Sequence, residues 1–79
     1  MRSIDSEQAA PLSPREQQVA ALIAQGQTDR QIADRLTITE GTAGVHVGHI
    51  LNKLSFHART EIASWAVRHG LGGASEPVS

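Results

Sequence analysis

Apolar residues recur at helical spacing in four separate stretches of the chain. In the first, Val19, Ala20, Leu22 and Ile23 line one side of a 3.6-residue repeat and define a buried stripe. Its start is marked by Ser13-Pro14-Arg15-Glu16, which places a hydroxyl at the N-cap, a proline at the first helical position and a glutamate at N3. Gly26 supplies the left-handed position that stops it. Thr28 and Gln31 repeat the capping logic for a second, short helix that buries Ile32, Ala33 and Leu36. Thr39 caps a third, in which Ala43, Val47, Ile50, Leu51 and Leu54 share the core face. A fourth begins at Ala58 or Arg59 and is stopped by Gly70. No stretch alternates as a strand does. The pattern predicts an all-α fold, a four-helix bundle with helices at about 14–25, 29–36, 40–54 and 59–69.

The second and third helices are separated only by Thr37-Ile38-Thr39. A short helix, a three-residue turn and a longer helix make the layout of a helix-turn-helix, whose second helix can enter the major groove of DNA while the first buttresses it. Residues 1–11 are polar and without helical period, end in Pro11, and read as a flexible linker or tail. The domain proper is expected over residues 12–71, and Gly72-Gly73 opens a flexible C-terminal tail over residues 72–79.

On the fourth helix, Glu61, Ser64 and Arg68 cluster on one side, while Ile62, Ala63, Trp65, Ala66 and Val67 cover an arc of roughly 200°, twice what one-sided burial needs. Part of that arc is expected to face a second subunit, with Ile62, Trp65, Ala66 and Val67 as the dimer-interface candidates. The competing reading is that Trp65 or Val67 lies half-exposed at the edge of a small core.

Composition narrows the class. The 79 residues hold one modest core, and 39% hydrophobic content with 3% aromatics suits a helical domain packed with Leu, Ile, Val and Ala. The absence of cysteine excludes disulfides and thiolate zinc sites. No stretch reaches the roughly 18 apolar residues of a membrane span and the N-terminus lacks a signal-peptide run, so a cytoplasmic protein without a membrane partner is expected. No phosphate-cradling loop or nucleophilic constellation supports an enzyme. His46 and His49 stand three apart on one helix, but two imidazoles without a nearby carboxylate or thiolate make a poor metal site, and no metal or other cofactor is expected. The net charge of −1 runs against DNA binding, since phosphate neutralisation normally supplies much of the affinity.

Several motifs fall in order without a gap over about residues 12–70: Leu12-Ser13-Pro14-Arg15-Glu16, Ala24-Gln25-Gly26, Gln31-Ile32-Ala33-Asp34-Arg35-Leu36, Ile38-Thr39-Glu40-Gly41-Thr42, His46-Val47 and Ile50-Leu51-Asn52-Lys53-Leu54. Together they resemble the LuxR/FixJ/NarL-type (GerE-like) effector domain. The resemblance implies a four-helix domain that binds double-stranded DNA through its third helix, commonly forms a homodimer through its fourth, and sits at the C-terminus of a bacterial transcription regulator; the end at Ser79 suits that place. It also admits RNA polymerase as a partner. Thr28 and Arg30 match positions where the family meets the DNA backbone, and His46 also matches a family position, at the DNA-facing edge or as a stabiliser of the helix.

The departure from the family lies on the outer face of the third helix: Gly41, Gly44, Val45, Gly48, His49 and Asn52. Family members commonly carry lysine at the place of Gly44 and often a basic residue at that of Gly48. Three readings compete. In the first, DNA is still read, the backbone approaching closely at the glycines, Val45 touching a thymine methyl, and His49 or Asn52 reaching base edges or phosphates. In the second, Gly44 and Gly48 admit a partner helix, and the domain is a protein-interaction module with weak or lost DNA binding. In the third, the glycines are drift in a weak binder and cost roughly 0.5–1 kcal/mol each against alanine. Phosphate-contact candidates are Thr28 and Arg30, Thr39 and Thr42, Lys53 and Arg59. Thr28 doubles as an N-cap, and the competing role for Arg59 is an ion pair with Glu16. His57 is expected in solvent at the turn before the fourth helix.

Overall fold

The computed structural model describes residues 12–71; the expected linker at 1–11 and tail at 72–79 lie outside the described residues. Four helices follow in order, α1 (Pro14–Ala24), α2 (Asp29–Leu36), α3 (Glu40–Leu54) and α4 (Arg59–Arg68), and there is no strand among the described residues. α1 and α4 each end one residue before the expected boundary.

The N-termini follow from local chemistry. Ser13 Oγ accepts from the Glu16 amide at 3.2 Å while the Glu16 carboxylate accepts from the Ser13 amide at 3.0 Å. The same reciprocal box joins Thr28 and Gln31 at 3.2 and 2.8 Å. Such a cap contributes about 1 kcal/mol by satisfying amides the helix itself leaves open. The N-cap of α4 is Ala58, which has no side-chain acceptor, so Glu61 reaches back alone and accepts from the amides of His57 and Ala58 at 2.6 and 3.0 Å. Those two N–H groups hold its carboxyl below the usual 4.5.

All four helices stop the same way. The residue after each helix's last turn is left-handed, at Gly26, Thr37, Ser55 and Gly70. The next amide then donates to a carbonyl five positions back: Gln27 to Leu22, Ile38 to Ala33, Phe56 to Leu51 and Leu71 to Ala66, at 3.1, 3.0, 2.8 and 2.7 Å. Ile38, Phe56 and Leu71 pack against the core as they do so. These closures turn the chain sharply enough for short helices to bury one another.

The core comprises Leu12, Val19, Ala20, Leu22, Ile23, Ile32, Ala33, Ala43, Val47, Ile50, Ile62, Trp65 and Ala66. α1 packs most extensively on α4 and α2 on α3, with α1 also crossing α3. Leu36, Leu51 and Leu54, expected inside, are half-buried at the edge of this cluster. α4 corrects a larger expectation. Its apolar arc is wide because the helix is enclosed by its own protomer: Ile62 and Ala66 are fully buried and Trp65 nearly so, its indole stacked on the His69 ring at 4.4 Å. Of the four dimer-interface candidates only Val67, 62% exposed, is left on the surface.

Candidate nucleic-acid interface

α3 offers its inner face to the core through Ala43, Val47 and Ile50 and leaves its outer face uncovered by the other described helices. Its N-terminus is built by Thr39, whose Oγ1 accepts from the Thr42 amide at 3.1 Å and donates to the Thr42 hydroxyl at 2.8 Å. Thr42 thereby keeps its own proton for an outside acceptor. Thr28 has its amide and one lone pair committed to its cap, and its hydroxyl proton is likewise free for an outside acceptor. Arg30, in the first turn of α2, is exposed.

Val45 is 54% exposed at the outermost ridge of α3, beside exposed Asn52 and Gly41. A Cβ at Gly41 or Gly48 would meet nothing within 4 Å, and one at Gly44 would touch only the Asp29 carboxylate at 3.5 Å. No element of the described chain therefore needs these glycines for close packing. They leave a smooth helix surface pointing outward.

Lys53 and Arg59, two cations near this face, are held by acids. Lys53 Nζ lies 2.7 Å from Glu16 Oε1, and His49 Nδ1 lies 3.8 Å from Glu16 Oε2. Burial pushes the Glu16 carboxyl up, but the hydrogen bond and charge of Lys53, with those from Ser13, outweigh it and leave it below its ordinary 4.5. Arg59 bonds Asp29 Oδ1 at 2.7 Å and the Gln27 carbonyl at 2.9 Å. The anticipated pairing of Arg59 with Glu16 is thus replaced: α3 brings Lys53 to Glu16, while the start of α4 lies beside the start of α2. Two of the predicted phosphate contacts carry their counter-charges with them. His57 is exposed, as expected. Sequence reasoning saw Glu16 as a cap and as a partner for Arg59, not for Lys53, and missed Asp29; no local signal links residues 30 or more positions apart.

Among the described residues, six lysines and arginines face five acids, a balance of +1, so the acidity of the whole chain arises outside the domain. No group of three or more potential metal ligands occurs among the described residues, and none of their helices is long and apolar enough to cross a membrane.

Comparison with known proteins settles the lineage. Residues 10–66 match the GerE family, described as bacterial regulatory proteins of the luxR family. The chain belongs to this family. It is 50% identical over 54 residues to the nitrate/nitrite response regulator protein NarL of Escherichia coli K12, an alignment covering 68% of this chain and 25% of that protein. The transcriptional regulatory proteins LnrK and LiaR of Bacillus subtilis are 42% and 40% identical over 60 residues each, covering 76% of this chain and 27% and 28% of theirs. The chain thus spans about a quarter of the length of these relatives.

Proposed function

We propose that this luxR-family domain binds duplex DNA with α3 in the major groove and acts as the DNA-binding part of a bacterial transcription regulator. The observation that carries the reading is the division of α3. One face is saturated by the core, and the opposite face, about as wide as the groove can admit, is not packed against any other helix among the described residues. Val45 would meet a thymine methyl, Asn52 and His49 base edges or phosphates, and Thr28, Arg30 and Thr42 the flanking backbone. With Lys53 and Arg59 already paired and glycine at positions 44 and 48, binding is expected to be weak and shallow in its salt dependence.

The uncovered glycine face gives a second reading its footing, a partner helix seated on Gly41, Gly44 and Gly48. A fluorescence titration of duplex DNA at low salt separates the two. Saturable binding that weakens with salt supports the first, and no binding at low salt overturns it. For a homodimer, the α4 contact narrows to the side of Val67, and sedimentation of wild type against Val67→Asp on an inverted-repeat duplex tests it: equal assembly of both would remove Val67 from the interface.

A further inference from the structure

Val45 stands apart from every other side chain on the outer ridge of α3. At 100° per residue it lies about 170° round the helix from the core line of Ala43, Val47 and Ile50. On one side of it the polar residues Thr42, His46, His49 and Lys53 form a flank turned toward Glu16 of α1; on the other, Gly44, Gly48 and Leu51 form a bare flank turned toward Asp29 of α2. Its neighbours one turn away on the helix surface are Gly41, Thr42, Gly48 and His49. The two glycines have open space where a Cβ would be. Thr42 is bonded to Thr39, and the His49 ring lies 3.8 Å from Glu16. The isopropyl group, on a residue 54% exposed, is thus an apolar knob in a clearing.

The clearing changes what a helix in the major groove can read. Glycines beside Val45 let α3 sink further than a helix ringed with lysines, so that a side chain as short as valine reaches the base edges. No arginine or lysine stands on this ridge to grip guanine O6 and N7, the commonest specific contact. What valine can meet is a methyl group. Thymine carries one at C5 on its major-groove edge, and 5-methylcytosine carries the same group at the same place; the two bases differ beside it, at an O4 acceptor or an N4 donor. An isopropyl group does not sense that difference, and Gly41 and Gly48 supply no side chain that would.

We propose that α3 reads, at Val45, the C5 methyl group of a pyrimidine and not the base that carries it, so that 5-methylcytosine serves as well as thymine and DNA binding responds to cytosine methylation. The proposal rests on the DNA-binding reading above and names the class of duplex that the ridge selects.

The test uses the whole chain and one pool of short random-sequence duplexes, copied with three nucleotide mixtures and titrated at low salt. The first holds thymine and cytosine, the second uracil and cytosine, with no C5 methyl, and the third uracil and 5-methylcytosine, with the methyl moved to the other pyrimidine. Wild type should bind the second pool about fourfold more weakly than the first, the worth of one buried methyl group, and the third within about twofold of the first. Val45→Ala changes an exposed position to a residue of higher helix propensity, so the variant folds, and it should bind all three pools alike. Equal wild-type affinity for the first two pools would overturn the proposal. So would a loss with uracil that 5-methylcytosine does not restore, which would mean that thymine itself is read, or differences that persist in Val45→Ala, which would belong to duplex shape. A wild-type chain that binds none of the pools would instead overturn the reading on which the proposal rests.

Discussion

The two flanks of α3 pair a cation with an acid in different ways. On the α1 side, Lys53 bonds Glu16, whose carboxylate is 7% exposed and also closes the cap of α1. On the α2 side, Arg59 bonds Asp29, both about one-third exposed. An exposed pair contributes about 0–1 kcal/mol, because water screens it and two side chains must be ordered. A buried carboxylate that serves an ion pair and a helix cap at once is worth more, and losing a partner leaves a group without its hydrogen bonds. The difference teaches that a count of basic residues overstates what is available to phosphate. One flank is locked by the fold, and the other is held by a contact that can be exchanged.

The largest expected effect is therefore on the α1 side. Glu16→Gln keeps an acceptor for the Ser13 amide but loses the charge facing Lys53, and should cost roughly 1–3 kcal/mol of stability by denaturant unfolding. The cost stays below that of a fully buried pair because the stranded Lys53 ammonium can turn to water. Acid has the same target. The folded Glu16 carboxyl titrates below its ordinary 4.5, so the unfolded chain takes up the proton first as pH falls. Its contribution is full above about 4.5 and is lost as pH drops through the lowered value. Glu61 acts with the same sign. Melting temperatures should fall with pH in that window, and less steeply in Glu16→Gln than in wild type. Equal slopes would show that Glu16 is not a source of the acid sensitivity.

A smaller effect is expected on the α2 side, on DNA affinity rather than on stability. At Gly48 a new side chain meets open space, so Gly48→Lys adds an unpaired cation on the outer face and gains helix propensity of up to about 1 kcal/mol. Its salt slope should steepen by about one phosphate contact. Gly44→Lys is not equivalent, because its Cβ lies 3.5 Å from Asp29 Oδ2 and the new ammonium will compete with Arg59 for that carboxylate. Binding should strengthen in both, less in Gly44→Lys. A larger gain at position 44 would mean that Asp29 does not restrain a cation there. Loss of binding in a folded Gly44→Lys would favour a partner helix or a closely approaching backbone at this glycine.

How much of this was legible in the sequence depends on whether the signal is local. The capping boxes at Ser13 and Thr28 and the stops at Gly26 and Gly70 are each written within a few residues, and their helices follow. The equivalent stops at Thr37 and Ser55 were not legible as such, since a non-glycine residue enters the left-handed region only when the closing bonds and the packing of Ile38 and Phe56 compensate about 1–2 kcal/mol of steric cost. The apolar arc of α4 was legible as apolar, but not which part of it the chain covers itself: Ile62, Trp65 and Ala66 are buried within the described residues and Val67 is exposed, and hydrophobic periodicity does not say which neighbour covers a face. Candidate contact residues could be named one by one from the sequence, but not the ion pairs that hold two of them. Lys53 with Glu16 and Arg59 with Asp29 join positions far apart in the chain, and only the packing of four helices brings them together.

The smallest stability change and the sharpest test of the exchangeable flank come from Asp29→Asn. The substitution removes an exposed ion pair and one acidic group from the first turn of α2, terms that together cost under about 1–2 kcal/mol and leave the fold intact. Arg59 keeps its bond to the Gln27 carbonyl but loses its counter-charge, and an anion is removed from beside the bare flank of α3. DNA should then be bound severalfold more tightly at low salt, with a salt slope steeper by up to about one, because the released guanidinium can meet a phosphate. Combined with Gly44→Lys, the change should bring position 44 level with position 48, since the carboxylate that held the new lysine is gone. A salt slope identical to wild type in Asp29→Asn would strike Arg59 from the phosphate contacts and leave Arg30 and Lys53 as the only candidate cations beside α3.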